Sequence, residues 1–291
     1  MNKTTISYKT NNILIDELSN QDNIEVIKKA SFISKIFTKK KYADVYFHSG
    51  ILDENSIENI LNAKITIANC FASMNEIIAK TKISHEKVKV IYPSINIEYK
   101  KTKEVKDRLC EELEIDASDK IILFTAKNFK SSGIKEFLDI CTSISYEKFK
   151  IIVTGDKKQI TALQFQIPKY QKIQDKIIVL IDYKNIDDLF LASDIFILPT
   201  YNKSFATNII KAMFCKCAVF ISLDNDAKEI VDVFASMDSP TDSSMGFKLD
   251  AVLNGKDDLK LIKKENQKIA IECNLENNLT KVNTIIGDIS I

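Results

Sequence analysis

Lysine carries almost all of the cationic chemistry in this chain: Arg108 is the only arginine among 41 basic side chains. The guanidinium fork that grips two phosphate oxygens at once is scarce, so a bound phosphate must be met by ammonium groups, hydroxyls or backbone amides. Four lysines lie close to the end of an apolar run or to an expected helix start. Lys127 and Lys130 follow an apolar run ending at Thr125, while Lys203 and Lys211 flank Thr207-Asn208, where a helix is expected to begin. The unpaired N–H groups of a helix start favour an anion. His48 closes another apolar run, at the strand end where open α/β sheets take ligands; it either contacts an acceptor or sugar there or is a satisfied strand-end histidine. His85, between a helix and a strand, reads as a solvated loop residue. The six cysteines are scattered, and Cys215-Lys216-Cys217 lacks the second ligand pair of a zinc site. They read as reduced core residues.

Composition narrows the classes further. Six glycines in 291 residues fall far below an average usage of about 7%, which argues against a glycine-rich phosphate loop. Forty acidic side chains against 41 basic ones leave a net charge of +1, so no global field favours nucleic acid as a partner. No stretch approaches the ~18 apolar residues that span a bilayer, and residues 1–5 lack an apolar signal core. The expected address is the cytoplasm.

Eight apolar runs supply the frame for these side chains: residues 44–47, 64–68, 88–92, 120–125, 149–153, 176–180, 194–198 and 218–221. Each is short and rich in β-branched residues, with ten to twenty amphipathic residues after it. That is the pattern of buried parallel strands joined by crossover helices, so the fold class is α/β and doubly wound. Pro93 breaks the third run, and residues 100–120 are charged without strand character, which divides the chain into two Rossmann-like halves. The first half is abbreviated, since residues 1–40 offer one weak strand, 12–15, ahead of a basic segment, 28–41. In that segment Phe32, Ile33, Ile36 and Phe37 share a helical face between lysines, suited to packing on a sheet or to lying on an anionic membrane surface. The mixed-sign run 101–108 reads as a solvated helix face. Phe205 and Met213 read as core, and 255–284 as one or two closing helices. The resulting division is 1–97, 98–265 and a closing helix over 266–291.

The order of the local patterns adds a resemblance. Residues 88–96 resemble the linker strand that closes the first domain of retaining GT-B glycosyltransferases, the group 1 or family 4-like enzymes. Residues 121–134, 151–155 and 187–200 resemble successive strand-and-loop patterns of that family's donor domain. Lys203-Ser204-Phe205-Ala206-Thr207, continuing through Lys211-Ala212-Met213, aligns without a gap on its motif of two glutamates eight positions apart. Residues 43–49 resemble a strand end of its first domain. In the family the second glutamate accepts hydrogen bonds from the donor ribose hydroxyls and the first lies close to the transferred sugar. Here both are lysines, which only donate. The Arg and Lys of the family's first donor-domain loop become Lys127 and Ser132, with Lys130 nearby; the glycine after Phe205 becomes Ala206; and the two-glycine turn before Glu229 becomes Asn225-Asp226-Ala227-Lys228.

The resemblance implies a GT-B fold of two Rossmann-like domains with parallel sheets. It implies a donor nucleotide sugar held by Lys127, Lys130, Gly155, Lys203, Ser204, Phe205, Ala206, Thr207, Lys211 and Glu229, with His48 as the catalytic-side residue of the first domain. No metal or other cofactor is implied, because protein cations and a helix start neutralise the diphosphate. The implied activity is sugar transfer to a glycan or lipid-linked acceptor in surface polysaccharide or lipopolysaccharide assembly, in the cytoplasm or peripheral to the inner membrane. The replaced glutamates leave a second expectation, a catalytically inactive relative that serves as partner or scaffold for another glycosyltransferase.

Overall fold

The computed structural model describes residues 3–27 and 41–290, in two units: 1–96 with 272–291, and 97–271. The first unit runs β1 (Thr4–Tyr8), α1 (Ile13–Ser19), β2 (Ile24–Val26), β3 (Val45–His48), α2 (Glu54–Asn62), β4 (Ile65–Ala68), α3 (Phe71–Thr81) and β5 (Val88–Val90). Its sheet is parallel throughout, in the order β2-β1-β3-β4-β5. Side chains alternate as a two-faced strand requires. Val45 and Phe47 of β3 join one core with Ile6, Leu14, Ile15 and Leu18, and Tyr46 joins another with Ile60, Met74 and Ile77.

The second unit runs α4 (Thr102–Glu112), β6 (Lys120–Thr125), α5 (Ile134–Ser143), β7 (Phe149–Gly155), α6 (Lys157–Gln164), β8 (Ile177–Ile181), α7 (Ile186–Ala192), β9 (Ile195–Leu198), α8 (Thr207–Phe214), β10 (Ala218–Ser222), β11 (Ser236–Met237), α9 (Met245–Asn254) and α10 (Lys256–Ile271). Its sheet order is β11-β10-β9-β6-β7-β8, again all parallel. Every residue of β9 and β10 is buried, as expected of strands covered on both faces. The strand order reverses between β6 and β9, the place where doubly wound sheets open a crevice at their carboxyl ends. A last helix, α11 (Leu275–Ser290), returns to the first unit, where Val282 and Ile286 enter the core of α1 and β1.

All eight apolar runs form strands; the described part of residues 1–40 holds two further strands, β1 and β2, in place of the one expected at 12–15, and other expectations give way as well. Residues 12–15 are the start of α1 rather than a strand: the Asn12 side chain accepts from the Leu14 and Ile15 amides, a helix cap that outweighs the local β-branching. Residues 266–291 form parts of two helices, because the chain leaves the second unit after Ile271 and pairs at Asn274 with Ile95. The run 101–108 is not merely solvated. Lys100 and Arg108 reach the buried Asp188 carboxylate at 2.9 and 2.6 Å, and Lys106 reaches Asp194 at 2.8 Å, so one face of α4 neutralises carboxylates that the core has taken out of water. The basic segment 28–41 falls outside the described residues except for Lys41. No helix among the described residues is long and apolar enough to cross a membrane, and the six cysteines are buried.

Candidate functional site

Three loops at the carboxyl ends of β6, β9 and β10 carry most of the chemistry read from the sequence. Loop 126–133 is bound to loop 199–206 through the Ser131 carbonyl, which accepts from the Tyr201 amide at 3.0 Å and the Thr200 hydroxyl at 3.2 Å. Asn202 Nδ2 adds a bond to Ser131 Oγ at 3.1 Å. Gly133 lets the two loops meet: its φ is +79°, and a Cβ there would lie 1.8 Å from the Pro199 carbonyl oxygen. The loop after β10 is joined by Asn225, which is fully buried. Its Nδ2 donates to the Asn202 and Ser204 carbonyls at 2.9 and 2.8 Å, and its Oδ1 accepts from the Ala227 amide at 3.0 Å. Asn225 thus replaces, with side-chain hydrogen bonds, the order that a glycine turn would have drawn from its backbone.

Helix α8 begins at Thr207, with Ala206 as its cap residue in extended conformation and no side-chain cap. The Ile209 amide bonds back to the Ala206 carbonyl at 3.0 Å, and the Thr207 and Asn208 amides ahead of it are left for another acceptor. Asn208 Nδ2 donates to the Thr125 carbonyl at 3.2 Å, which fixes this helix start beside the end of β6, two residues before Lys127. Lys127 and Lys130 are exposed, and neither ammonium has a carboxylate within ion-pair distance among the described residues. Lys203, Ser204 and Glu229 are exposed on the neighbouring loops, while Phe205 is buried and serves the core.

Gly155 has a packing explanation. A Cβ there would lie 2.6 Å from Phe129 Cζ, so the residue makes room for the ring that anchors loop 126–133 rather than for a ligand. Gln159 holds the same loop by accepting from the Phe129 amide at 2.6 Å. Sequence reasoning overlooked Gln159, Asn208 and the Asn225 hub, since each acts through a contact distant in sequence.

Lys211 has a specific partner. Its ammonium lies 2.8 Å from Asp187 Oδ1, at the start of α7, with side-chain exposures of 26% and 38%. At this exposure the pair stabilises the fold by no more than about 1 kcal/mol; its main effect is local, because a carboxylate is still presented beside position 211, from a different helix.

In the first unit His48 ends β3, 3% exposed, its ring 6.1 Å from that of Tyr46. Nδ1 has no hydrogen-bond partner. Burial, and secondarily the nearby Lys9 ammonium, push its pKa down to about 4, so the ring is neutral at pH 7. The unfolded chain takes up this proton near pH 6.5 and the folded chain near 4, hence stability falls as pH drops through that window. Between pH 7 and 5.5 the loss from His48 amounts to about 1 kcal/mol. Urea unfolding at the two pH values should show it, and His48→Gln should flatten the difference whatever its effect on overall stability.

Two parallel-sheet units, with the last helix returning to the first, define the GT-B architecture. The family profile described as glycosyl transferases group 1 matches residues 105–269, more than half of the chain, and the chain belongs to that family. It is a glycosyltransferase of the GT-B class. No curated protein matches it. Among solved structures it is similar to Anabaena Alr3699/HepE in complex with UDP, with a TM-score of 0.77 at 14% identity over 98% of this chain and 100% of that one. It is also similar to a glycosyltransferase from Rickettsia africae ESF-5, at 0.71 and 15% over 99% of each chain. WaaG, a glycosyltransferase involved in lipopolysaccharide biosynthesis, matches at 0.69 and 11%, over 97% of this chain and 99% of that one. At such identities the likeness is one of fold.

Proposed function

We propose that the second unit binds the diphosphate of a nucleotide-sugar donor against the start of α8, and that the enzyme transfers the sugar to a glycan or lipid-linked acceptor in surface glycan assembly. The observation that carries this reading is the Asn208–Thr125 hydrogen bond, which holds an uncapped helix start next to the Lys127 loop. Helix amides and the ammonium groups of Lys127 and Lys130 supply positive charge where a leaving diphosphate gains negative charge. Asp187, oriented by Lys211, takes over the acceptor role toward the ribose hydroxyls that a lysine at 211 cannot perform. Glu229 and Lys203 are assigned to the sugar end of the donor, and His48, at the end of β3, to the acceptor side of the first unit. That UDP occupies the similar Anabaena structure supports a uridine donor, and WaaG's part in lipopolysaccharide biosynthesis supports an acceptor of that kind. The work is done in the cytoplasm or at the inner face of the membrane.

A second reading has the same ion pair on its side. If Lys211–Asp187 excludes the ribose instead of meeting it, the chain is an inactive partner of another glycosyltransferase. Calorimetric titration with UDP, GDP, ADP and CMP and their sugars separates the two. The proposal expects one nucleotide to bind, Lys127→Ala to weaken it by about 10- to 100-fold, the worth of one charge-assisted hydrogen bond, and Asp187→Asn to weaken it further. No binding by the natural chain, together with binding gained in Lys211→Glu, would establish the inactive reading.

A further inference from the structure

Lysines crowd one cavity of the second unit on the side of the sheet opposite the donor loops. It measures about 680 Å³ and lies at the amino ends of β6, β9 and β10, where Lys120, Asp194 and Lys216 mark its wall. A six-residue strand such as β6, rising about 3.3 Å per residue, puts the two edges roughly 20 Å apart. Seven of the fifteen lining residues are lysines, whereas lysine makes up about one residue in seven of the chain; the cavity is enriched beyond the general bias of the sequence.

Asp194 is the single carboxylate in this lining. It is satisfied by Lys106 and Lys263 at 2.8 Å each, with Lys120 at 3.8 Å. The remaining four, Lys103, Lys216, Lys260 and Lys264, have no carboxylate within ion-pair distance among the described side chains. Lys216 lies over the Tyr99 ring, 5.1 Å from its centre; the other three are exposed. Seven ammonium groups against one carboxylate leave a formal charge of +6. The helix ends at Ala192 and Phe214 offset only about half a charge each. These cations converge from α4, α10 and the turn before β10 onto a concave wall that includes Leu191, Ala192 and Leu259. Apolar walls reduce screening, so both the mutual repulsion and the attraction for an anion are stronger than on an open surface.

We propose that this cavity is a second anion site, which takes a compact ligand bearing more than one phosphate and is separate from the donor site. The same chemistry is offered by a free polyphosphorylated molecule and by a phosphorylated lipid headgroup, and the test distinguishes them. Tripolyphosphate is titrated calorimetrically into the full chain, into Lys260→Gln/Lys264→Gln and into Lys127→Ala, at low salt and at 0.2 M salt. Glutamine keeps the helix propensity of these two exposed α10 positions, and equal melting temperatures verify the fold. The expected result is binding at least tenfold weaker in the double variant with a shallower salt dependence, and a smaller loss in Lys127→Ala. Unchanged binding in the double variant overturns the proposal, as does an equal loss in Lys127→Ala, which would put the anion at the donor loops. If tripolyphosphate does not bind, sedimentation with cardiolipin vesicles, whose headgroup carries two phosphates, decides. Adsorption that is lost in the double variant makes a lipid headgroup the ligand, while no adsorption, or equal adsorption by both proteins, overturns the site.

Discussion

Asp194→Ala is expected to destabilise the second unit by about 3–5 kcal/mol, the usual cost of removing one member of a buried ion network. The carboxylate is 6% exposed. Burial alone would raise its pKa, but Lys263 and Lys106 outweigh burial and hold it well below the usual carboxylate range. It also accepts from the buried Ile121 amide at 3.2 Å. Alanine leaves that amide without this acceptor and two largely buried ammonium groups without their counter-ion. Thermal unfolding should record a fall of roughly 10 °C, at about 2–4 °C per kcal/mol for a unit of this size. A loss below about 1 kcal/mol would mean that Lys106 and Lys263 swing out to water at little cost. The acid limb has a definite sign: because the folded pKa is lowered, the stabilisation is complete above the unfolded value near 3.9 and is lost as pH falls toward the folded one.

Gly133→Ala should cost about 3 kcal/mol, combining the left-handed backbone penalty with overpacking. The added carbon overlaps the Pro199 carbonyl, and that carbonyl cannot move without parting the loops that Ser131 holds together. Nucleotide binding, if it uses these loops as proposed, should fall with the stability. Gly287→Ala is the internal control. Gly287 lies in α11 and nothing stands within 4 Å of its prospective Cβ, so the same change should stabilise by about 0.5–1 kcal/mol through helix propensity and reduced freedom of the unfolded chain. Denaturant midpoints of the two variants shifted in the same direction would refute the geometric argument.

The fold was legible because parallel strands buried on both faces write themselves as continuous apolar runs. Residues 194–198 and 218–221 could hardly be anything else. Residues 12–15 misled because three apolar positions after an asparagine do not separate a strand from a helix turn, and the deciding feature was the Asn12 cap. The order of the motifs along the donor-side loops was legible, but the wiring of those loops was not. Nothing local indicates that Lys211 will meet Asp187, 24 residues earlier, or that Asn225 will bridge back to Asn202 and Ser204. The run 101–108 misled for the same reason: the carboxylates that Lys106 and Arg108 neutralise lie 88 and 80 residues away. Where charge replaces glycine or glutamate, its meaning depends on partners that only the fold selects.

The return of α11 also sets an order of events. Residues 97–271 form one unit inserted within the other, and the chain enters and leaves it at adjacent points, where the Ile95 amide donates to Cys273 and the Leu275 amide to Ile95. During synthesis the inserted unit therefore emerges whole, while the unit begun first still lacks Val282 and Ile286, both nearly inaccessible in its finished core. Residues of this unit made before the insertion are among the last to be enclosed, and the apolar face of α1 waits uncovered until α11 has been made.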